Sequence, residues 1–189
     1  SEVSMTASAS SSFYLNSGAW TNSSIPYFSW LAGADDENGV GLRGYCLYLG
    51  TDSAADPGNS STLTGTAGIL TNSPVDPVGT DCLFLTTSTN LDLGAADYLT
   101  SPLVNGETYY FKIKAIDHAG NTYNAGTADF SFIYDNQNPT NVSYISCASG
   151  SFSNVADMSF TWPNSGSAAA ADADSQILGW QYQINSTTG

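Results

Sequence analysis

Residues 103–121 read LVNGETYYFKIKAIDHAGN, and this stretch decides the fold. Apolar and polar side chains alternate along its centre, which is the two-residue period of a β-strand with one face on a core. The alternation places four side chains on the core face: Tyr109, Phe111, Ile113 and Ala115. The intervening side chains then point outside: Tyr110, Lys112 and Lys114. The segment is therefore predicted to be a strand that closes one side of a β-sheet core.

Further apolar and β-branched runs recur along the chain between clusters of Gly, Pro, Asn and Asp. They predict strands at about 2–7, 26–31, 44–49, 81–86, 109–116 and 129–134. Helical periodicity is nearly absent, and the Ala run 168–171 is too short to nucleate a helix. Short strands separated by turn signals are typical of an antiparallel β-sandwich. The sequence therefore predicts an all-β fold.

Composition narrows the classes of function. The 189 residues include 17 acidic and 3 basic side chains, for a net charge of −14. Because phosphate recognition needs clustered Lys and Arg, this balance excludes a generic nucleic-acid binder. A content of 41% hydrophobic and 12% aromatic residues predicts a folded chain. No apolar run approaches the ~18 residues of a membrane span, and no signal peptide is visible, as expected of a mature or excised fragment. Few Lys and abundant Ser, Thr and Asn suit an extracellular chain.

An internal repeat links the two ends of the sequence. Residues 27–49 and 158–184 both run from an aromatic-Ser/Thr-Trp strand through an acidic loop to a strand that opens Gly-aromatic. Trp30 corresponds to Trp162 and Gly44 to Gly179. The repeat thus predicts two copies of one fold within the chain.

The repeat also predicts the domain boundaries. A complete copy covers 1–134, a Pro- and Asn-containing linker covers 135–141, and a partial second copy covers 142–189. The second copy should contain strands at 142–146, 158–162 and 179–184. Because half a sandwich cannot close a core, we expect this copy to be completed by a continuing chain or by another subunit.

The motif at 103–121 resembles the end of a fibronectin type III domain, where Leu-x-x-Gly-x-x-Tyr leads into an alternating strand. Leu103, Gly106 and Tyr109 stand at those positions, and the resemblance implies that the Tyr109 hydroxyl bonds to nearby backbone. For the upstream segment, the resemblance implies that Trp30 is the core Trp of the second strand and that Tyr45 is the first residue of the third strand. Trp162 is then the core Trp of the second copy.

The chain is also similar to bacterial immunoglobulin-like repeats of large surface proteins, which share a D-N-x-x-P-T junction such as that at 135–140. This resemblance implies a non-catalytic structural or adhesive role in a stalk or filament. The expected partners are copies of the chain, adjacent repeats, or surface glycans or proteins. Neither nucleic acid nor a membrane span is expected.

Calcium is the one cofactor for which the sequence offers ligands, because hard cations bind carboxylate and carbonyl oxygens. One set is predicted at one end of the sandwich: Asp35, Asp36, Glu37 and Asp117. A second set is predicted at the junction: Asp135, Asn136, Asn138, Asp172 and Asp174. The junction resembles that of cadherins, with Gln137 in place of a liganding Asp. The alternative is a group of solvated acidic loops with Asx turns.

Three cysteines permit one disulfide. Cys46 and Cys82 both border apolar residues and enclose the connection 52–80, so a bridge between them is predicted, with two buried thiols as the alternative. Cys147 is then left over. The connection exceeds the ~12–15 residues beyond which loops are usually functional or mobile. Glycosylation sequons occur at Asn22, Asn59, Asn141 and Asn185.

Catalytic patterns are missing from the sequence. His118 is the only histidine, no Gly-x-Ser-x-Gly elbow occurs, and the cysteines lack zinc-site spacing. We therefore expect no enzyme activity. Two alternatives to the structural role stay open: a carbohydrate-binding module that uses Trp20, Tyr98 or Tyr123, and an accessory domain of a secreted hydrolase.

Overall fold

The computed structural model describes residues 3–59, 68–95, 97–122, 128–147 and 159–183. All regular elements in these ranges are strands, so the predicted all-β class is confirmed. They are β1 (Val3–Thr6), β2 (Tyr14–Leu15), β3 (Ala19–Thr21), β4 (Tyr27–Trp30), β5 (Leu42–Gly50), β6 (Leu85–Thr86), β7 (Asn90–Asp92), β8 (Thr108–Asp117), β9 (Ala128–Tyr134), β10 (Ser146–Cys147) and β11 (Phe160–Thr161). No helix long and apolar enough to cross a membrane occurs in these ranges.

The chain divides into two compact units, which we call unit 1 (Ser1–Asn136) and unit 2 (Gln137–Gly189). Unit 1 contains two sheets, with strand orders β2-β1-β4-β7 and β3-β9-β8-β5-β6. Their strands pair antiparallel except for β3 and β9, which run parallel from Ala19↔Phe132 to Thr21↔Tyr134. The purely antiparallel prediction is therefore wrong at this edge. After β2 the chain leaves the first sheet. It then forms β3, which runs beside β9 at the edge of the second sheet.

Each of the six strands predicted in unit 1 overlaps an observed strand, although the run 81–86 forms a strand only at Leu85–Thr86. The short strands β2, β3 and β7 were not predicted, because two or three residues are too few for alternation to be recognised. Each of these short strands pairs with a longer neighbouring strand, and the hydrogen bonds to that neighbour hold it in place.

The core of unit 1 lies between the two sheets. Phe28 of β4 stacks on Phe111 of β8 with ring centroids 4.0 Å apart, and it also contacts Phe130 and Phe132 of β9. Trp30 is buried against Phe111 at 5.8 Å. The alternation read from β8 thus predicts the core face correctly, and Trp30 is the core Trp that the sequence predicted.

The predicted hydrogen bond between the Tyr109 hydroxyl and nearby backbone, known as a tyrosine corner, is present at the start of β8. The backbone N–H of Val104 donates to the Tyr109 hydroxyl at 2.8 Å, and both Tyr109 and Leu103 are buried. Gly106 has a φ of 80°, a backbone conformation that glycine adopts without steric cost. Its N–H donates to the Tyr134 carbonyl at 2.8 Å and so ties the turn to the end of β9.

The second sheet is covered on both faces, which the sequence did not indicate. Side chains of β5 alternate between the main core, which includes Tyr45, Leu47 and Leu49, and a second cluster on the opposite face. That second layer comes from the long connection after β5. Lys112 points away from the main core as predicted, yet it is only 3% exposed. The prediction that its side chain lies outside is therefore wrong, because alternation cannot detect a loop that folds over the sheet.

Unit 2 contains the antiparallel pair β10 and β11. The predicted strand 142–146 is strand only at its last residue, and β11 lies within the predicted 158–162. Residues 179–183 form no strand, so that prediction is wrong for them. Met158 and Ile184 lie outside the described residues. The Ala run 168–171 is irregular, as predicted, and the carbonyls of Ala168 and Ala171 accept backbone N–H bonds from residues 143 and 140.

Candidate functional site

A disulfide joins β5 to the long connection. Cys46 and Cys82 are bonded, with their Cα atoms 5.2 Å apart, and they pack with Val75, Leu85 and Ile116 on the outer face of the second sheet. The bridge lies in the apolar part of the second layer, so solvent has little access to it. It fixes the end of the connection against the strand from which the connection starts.

Charged groups fill the other part of the second layer. Lys114 Nζ donates to both carboxylate oxygens of Asp56, at 3.0 and 2.8 Å. Burial alone would raise the pKa of Asp56, but the hydrogen bonds from Lys114 and from the Gly58 N–H, with the charges of Lys114 and Lys112, hold that pKa below its usual 3.8. The pair fastens the first part of the connection to β8.

Tyr48 completes this layer. Its ring is buried on the outer face of β5 with Ala55, and its hydroxyl accepts the Asp52 N–H at 3.0 Å. Burial raises the pKa of the Tyr48 hydroxyl, and the negative charge of Asp52 also acts in this direction. Residues 51–59 of the connection, which was predicted to be functional or mobile, are therefore a packed structural cover. Residues 60–67 lie outside the described residues.

The first predicted calcium site lies at one end of unit 1, where the acidic loop and the turn after β8 meet as the strand directions predict. The His118 N–H donates to the Gly41 carbonyl at 3.1 Å. Asp35 accepts the N–H groups of Asp36 and Gly41 at 2.9 and 2.7 Å, so these carboxylate oxygens stabilise their own loop.

Asp117 uses its oxygens in the same way. Its Oδ2 accepts the side-chain amide of Asn121, and its Oδ1 accepts the N–H groups of Asn121 and Ala119, each at 2.8 Å. The Asn121 amide, followed by these backbone donors, lowers the pKa of Asp117 from its usual value. Local turns thus account for the carboxylates of Asp35, Asp36 and Asp117 at this end of the unit.

The predicted junction residues fall in both units. Asp135 is buried, and its N–H donates to the Thr21 carbonyl at 2.9 Å, while the Asn136 N–H donates to the Asn105 side chain. Asp172 accepts the N–H groups of residues 174 and 175. Within the described ranges, no group of three or more carboxylate, His or Cys side chains could hold a metal ion. Calcium binding, including a site that uses Glu37 or Asn138, stays a prediction.

A shallow groove of about 340 Å³ lies on the outer face of the first sheet. Its lining residues are Ser4, Tyr14, Ser29, Trp30 and Leu31. Tyr14 is 71% exposed and gives the groove an open aromatic ring, whereas the indole of Trp30 packs into the core. Sequence reasoning missed this groove, because β2 carried no recognisable strand signal.

Two of the aromatic residues predicted for sugar binding, Trp20 and Tyr98, do not line this groove. Trp20 is partly exposed on β3, and Tyr98 packs edge-on against the buried Phe84 at 5.4 Å. Tyr98 is therefore not the exposed platform that the sequence suggested. Tyr123 lies outside the described residues.

Three of the predicted glycosylation sites can be located. Asn22 and Asn141 are exposed, and Asn59 is half-buried in the cover of the second sheet. Asn185 lies outside the described residues. Exposure makes Asn22 and Asn141 the more accessible acceptors, and their modification stays a prediction. Cys147 is a free, half-buried thiol.

Unit 2 reproduces the pairing of β1 with β4. In unit 1, Ser4 pairs with Ser29, their hydroxyl oxygens are 2.9 Å apart, and the Ser4 hydroxyl also reaches the Ser29 carbonyl at 3.3 Å. In unit 2, Ser146 pairs with Thr161, with the same two contacts at 2.7 and 3.4 Å. Both the register and the side-chain bonds of the β1–β4 strand pair thus recur in the β10–β11 pair.

The aromatic contact at the end of this strand pair recurs as well. Trp30 meets Tyr45 with ring centroids 5.6 Å apart, and Trp162 meets Trp180 at 6.0 Å. Trp162 and Trp180 are the residues that the sequence repeat aligns with Trp30 and Tyr45. The repeat is therefore visible in three dimensions and in the sequence.

Comparisons with known proteins identify no family. The chain matches no protein-family model and no curated protein. Among solved structures, it is similar to an α-L-rhamnosidase from Dictyoglumus thermophilum, with 11% identity and a TM-score of 0.37. The similarity covers 78% of this chain and 15% of the rhamnosidase chain. A likeness this weak assigns neither a fold family nor an activity.

Proposed function

We propose that the chain is a tandem pair of immunoglobulin-like, fibronectin type III-like β-sandwich repeats with a non-catalytic, extracellular structural or adhesive role. The strand orders support this fold: β1, β4 and β7 in one sheet face β9, β8, β5 and β6 in the other. That is the order in which strands A, B, E and G, F, C and C′ of such sandwiches lie. The tyrosine corner at Tyr109 and the recurrence of the β1–β4 pairing in unit 2 support it further.

The single observation that carries the structural role is the parallel pair of β3 and β9. β3 lies near the start of unit 1, and β9 is its last strand. Force applied along the chain would release β1 and β2 and then pull β3 and β9 in opposite directions. Because parallel strands loaded in this way slide past each other, their hydrogen bonds share the load and must break together.

Contacts beyond the ladder strengthen this edge. The Gly18 N–H donates to the Ser131 carbonyl at 2.7 Å, and the Asp135 N–H donates to the Thr21 carbonyl at 2.9 Å. Ser17 Oγ accepts the Ser131 N–H at 3.0 Å. The bonds thus continue past both ends of β3, which favours a repeat that transmits tension in a stalk or filament. The disulfide is consistent with an oxidising, extracellular compartment.

Single-molecule pulling of the full chain through its two ends tests this role. Ser17→Ala removes the side-chain bond at one end of the β3–β9 edge, and we expect it to lower the unfolding force of unit 1. Ser10→Ala is the matched control, since Ser10 is exposed and the one hydrogen bond seen for its side chain among the described residues is to the Ser8 hydroxyl. If both variants unfold at the force of the unchanged chain, the edge does not bear the load and this argument for a stalk fails.

Carbohydrate binding is the second candidate function, and the groove beside Tyr14 favours it. An exposed aromatic ring with nearby hydroxyl groups suits the apolar face and polar rim of a sugar. A glycan array probed with the full chain tests it, with Tyr14→Ala as the variant that should lose binding. Phe13→Ala is the control, because Phe13 is 83% exposed but does not line the groove. A silent array would remove this candidate. A role as an accessory domain of a secreted hydrolase stays a prediction.

A further inference from the structure

A long segment of unit 1 carries no charged side chain. The 17 acidic and 3 basic residues of the chain all lie outside residues 3–34, and this range contains β1, β2, β3 and β4. Three of these strands, β1, β2 and β4, belong to the first sheet. They therefore give that sheet an uncharged surface in a chain whose net charge is −14. The groove beside Tyr14 lies on this surface.

The groove combines exposed apolar groups with uncharged polar ones. Tyr14 and Leu31 are 71% and 69% exposed. The hydroxyl oxygens of Ser4 and Ser29 are 2.9 Å apart, and whichever hydroxyl donates in this pair, the Ser29 oxygen keeps a lone pair that can accept another hydrogen bond. The exposed Asn90 of β7 pairs with Ser29, so its amide lies on the same face of the sheet. These groups match a sugar ring, which has an apolar C–H face and a rim of hydroxyl groups.

The groove offers no cation to an acidic sugar. Carboxylate and sulfate groups are bound most strongly by Arg and Lys, and the basic residues of the chain, Arg43, Lys112 and Lys114, all belong to strands of the second sheet. The one charged side chain in the described strands of the first sheet is Asp92 of β7, an acid. Acidic groups repel a sugar carboxylate over about 8 Å at physiological ionic strength. The charge distribution therefore favours an uncharged ligand.

We propose that the groove beside Tyr14 binds an uncharged sugar and discriminates against uronic acids, sialic acids and sulfated sugars. The Tyr14 ring stacks on the C–H face of the sugar, while Ser29 and Asn90 form hydrogen bonds with its hydroxyl groups. The groove volume of about 340 Å³ lies near the lower end of the ~300–1,000 Å³ of small-ligand sites, which suits about one or two sugar rings. The inference rests on the carbohydrate-binding candidate of the proposed function and is independent of load bearing.

The test compares neutral glycans with acidic forms of the same glycans. The full chain is applied to an array of glucans, mannans, galactans and xylans, each beside its carboxymethylated form. We expect a neutral glycan to bind and its carboxymethylated form to bind more weakly by about tenfold or more. Binding of the neutral glycan should be the same at about 0.05 M and about 0.5 M salt, because no ion pair contributes to it.

Variants of the groove locate the site. Tyr14→Ala should weaken binding of the neutral glycan by about tenfold or more, because it removes the exposed ring against which the sugar buries its apolar face. Tyr14→Phe keeps the ring and should bind within about threefold of the unchanged chain. Phe13→Ala is the matched control and should bind normally, and circular dichroism confirms that each variant is folded.

The possible failures are distinguishable. Stronger binding of the carboxymethylated forms, lost in Tyr14→Ala, would overturn the inference and leave a carbohydrate-binding role standing. Neutral binding that survives Tyr14→Ala would show that the groove is not the site. A silent array would remove the carbohydrate role and this inference with it. Dimerisation of the free chain in analytical ultracentrifugation, abolished by Tyr14→Ala, would make a second copy the occupant and would also overturn the inference. None of these results affects the pulling test of unit 1.

Discussion

Breaking the Cys46–Cys82 bond should destabilise unit 1 by several kcal/mol while leaving its fold intact. The two cysteines are separated by 36 residues, and the bond restricts that whole loop in the unfolded chain. The chain-entropy relation gives about 4 kcal/mol at 25 °C for a loop of this length. For a domain the size of unit 1, this corresponds to a fall in Tm of about 10–15 °C.

The expected loss of stability comes from the greater conformational entropy of the unfolded chain when the bond is reduced. The contacts of the folded protein should therefore survive reduction. Packing of Tyr48 and the Lys114–Asp56 pair still hold the first part of the connection against the sheet. The reduced protein should therefore keep its far-ultraviolet circular dichroism. Its unfolded state expands more than that of the oxidised protein, so the urea m-value should rise on reduction.

Urea unfolding of the full chain, with and without a reductant, measures the effect directly. The matched variant Cys46→Ala/Cys82→Ala should resemble the reduced protein and should not respond to the reductant. Alkylation without a reductant should label one thiol, that of Cys147. Equal urea midpoints for the oxidised and reduced protein, together with labelling of three thiols, would mean that the bridge does not form and that packing alone positions the connection.

Three further predictions follow from individual contacts. Tyr109→Phe removes the acceptor of the Val104 N–H and should lower the free energy of unfolding in urea by about 1 kcal/mol, whereas Tyr110→Phe should cost less, because no such bond links the Tyr110 hydroxyl to the backbone of the described residues. Asp56→Asn should cost about 1 kcal/mol at neutral pH, since the Lys114 pair is partly exposed. The pKa of Asp56 is lowered on folding, so its stabilisation is present above its unfolded pKa and is lost as pH falls through the folded pKa; the difference in stability from the variant should therefore shrink as pH falls below 3.8 and vanish once Asp56 is protonated in the folded protein. At the acidic end of unit 1, the two readings of the sequence predict different responses to calcium: a calcium site should raise the Tm relative to a chelator, whereas acidic loops closed by their own Asx turns should leave it unchanged.

The parts of the fold that follow from local alternation could be predicted from the sequence. In β8, alternation predicted both the strand and its core face, and the Leu-x-x-Gly-x-x-Tyr motif predicted the corner at Tyr109. The repeat aligned Trp162 with Trp30 and Gly179 with Gly44. In the structure Trp162 contacts Trp180, the residue after Gly179, as Trp30 contacts Tyr45, the residue after Gly44. These features depend on residues close together in sequence or on a direct copy.

The features that the sequence did not predict depend on long-range contacts. β3 has three residues and is defined by its parallel neighbour β9, more than 100 residues later. The cover over Lys112 depends on how the connection folds back, and alternation in β8 carries no information about that. The groove beside Tyr14 likewise depends on β2, a two-residue strand held by β1. Whether such short strands form depends on the strands with which they pair. A single sequence does not show which distant segments pair with each other.

The positions of the three basic side chains show how the net charge of −14 is distributed between the interior and the surface of the chain. Lys114 is paired with Asp56, Lys112 is buried beside them, and Arg43 donates to the Val78 carbonyl at 2.9 Å. All three cations thus stabilise unit 1 internally, and the exposed charges of the described residues are almost entirely acidic. Because such charges repel over about 8 Å at physiological ionic strength, surfaces of two copies gain nothing from ion pairs with each other. Contacts that join this chain to a similar one must therefore depend on apolar packing and uncharged hydrogen bonds more than on ion pairs.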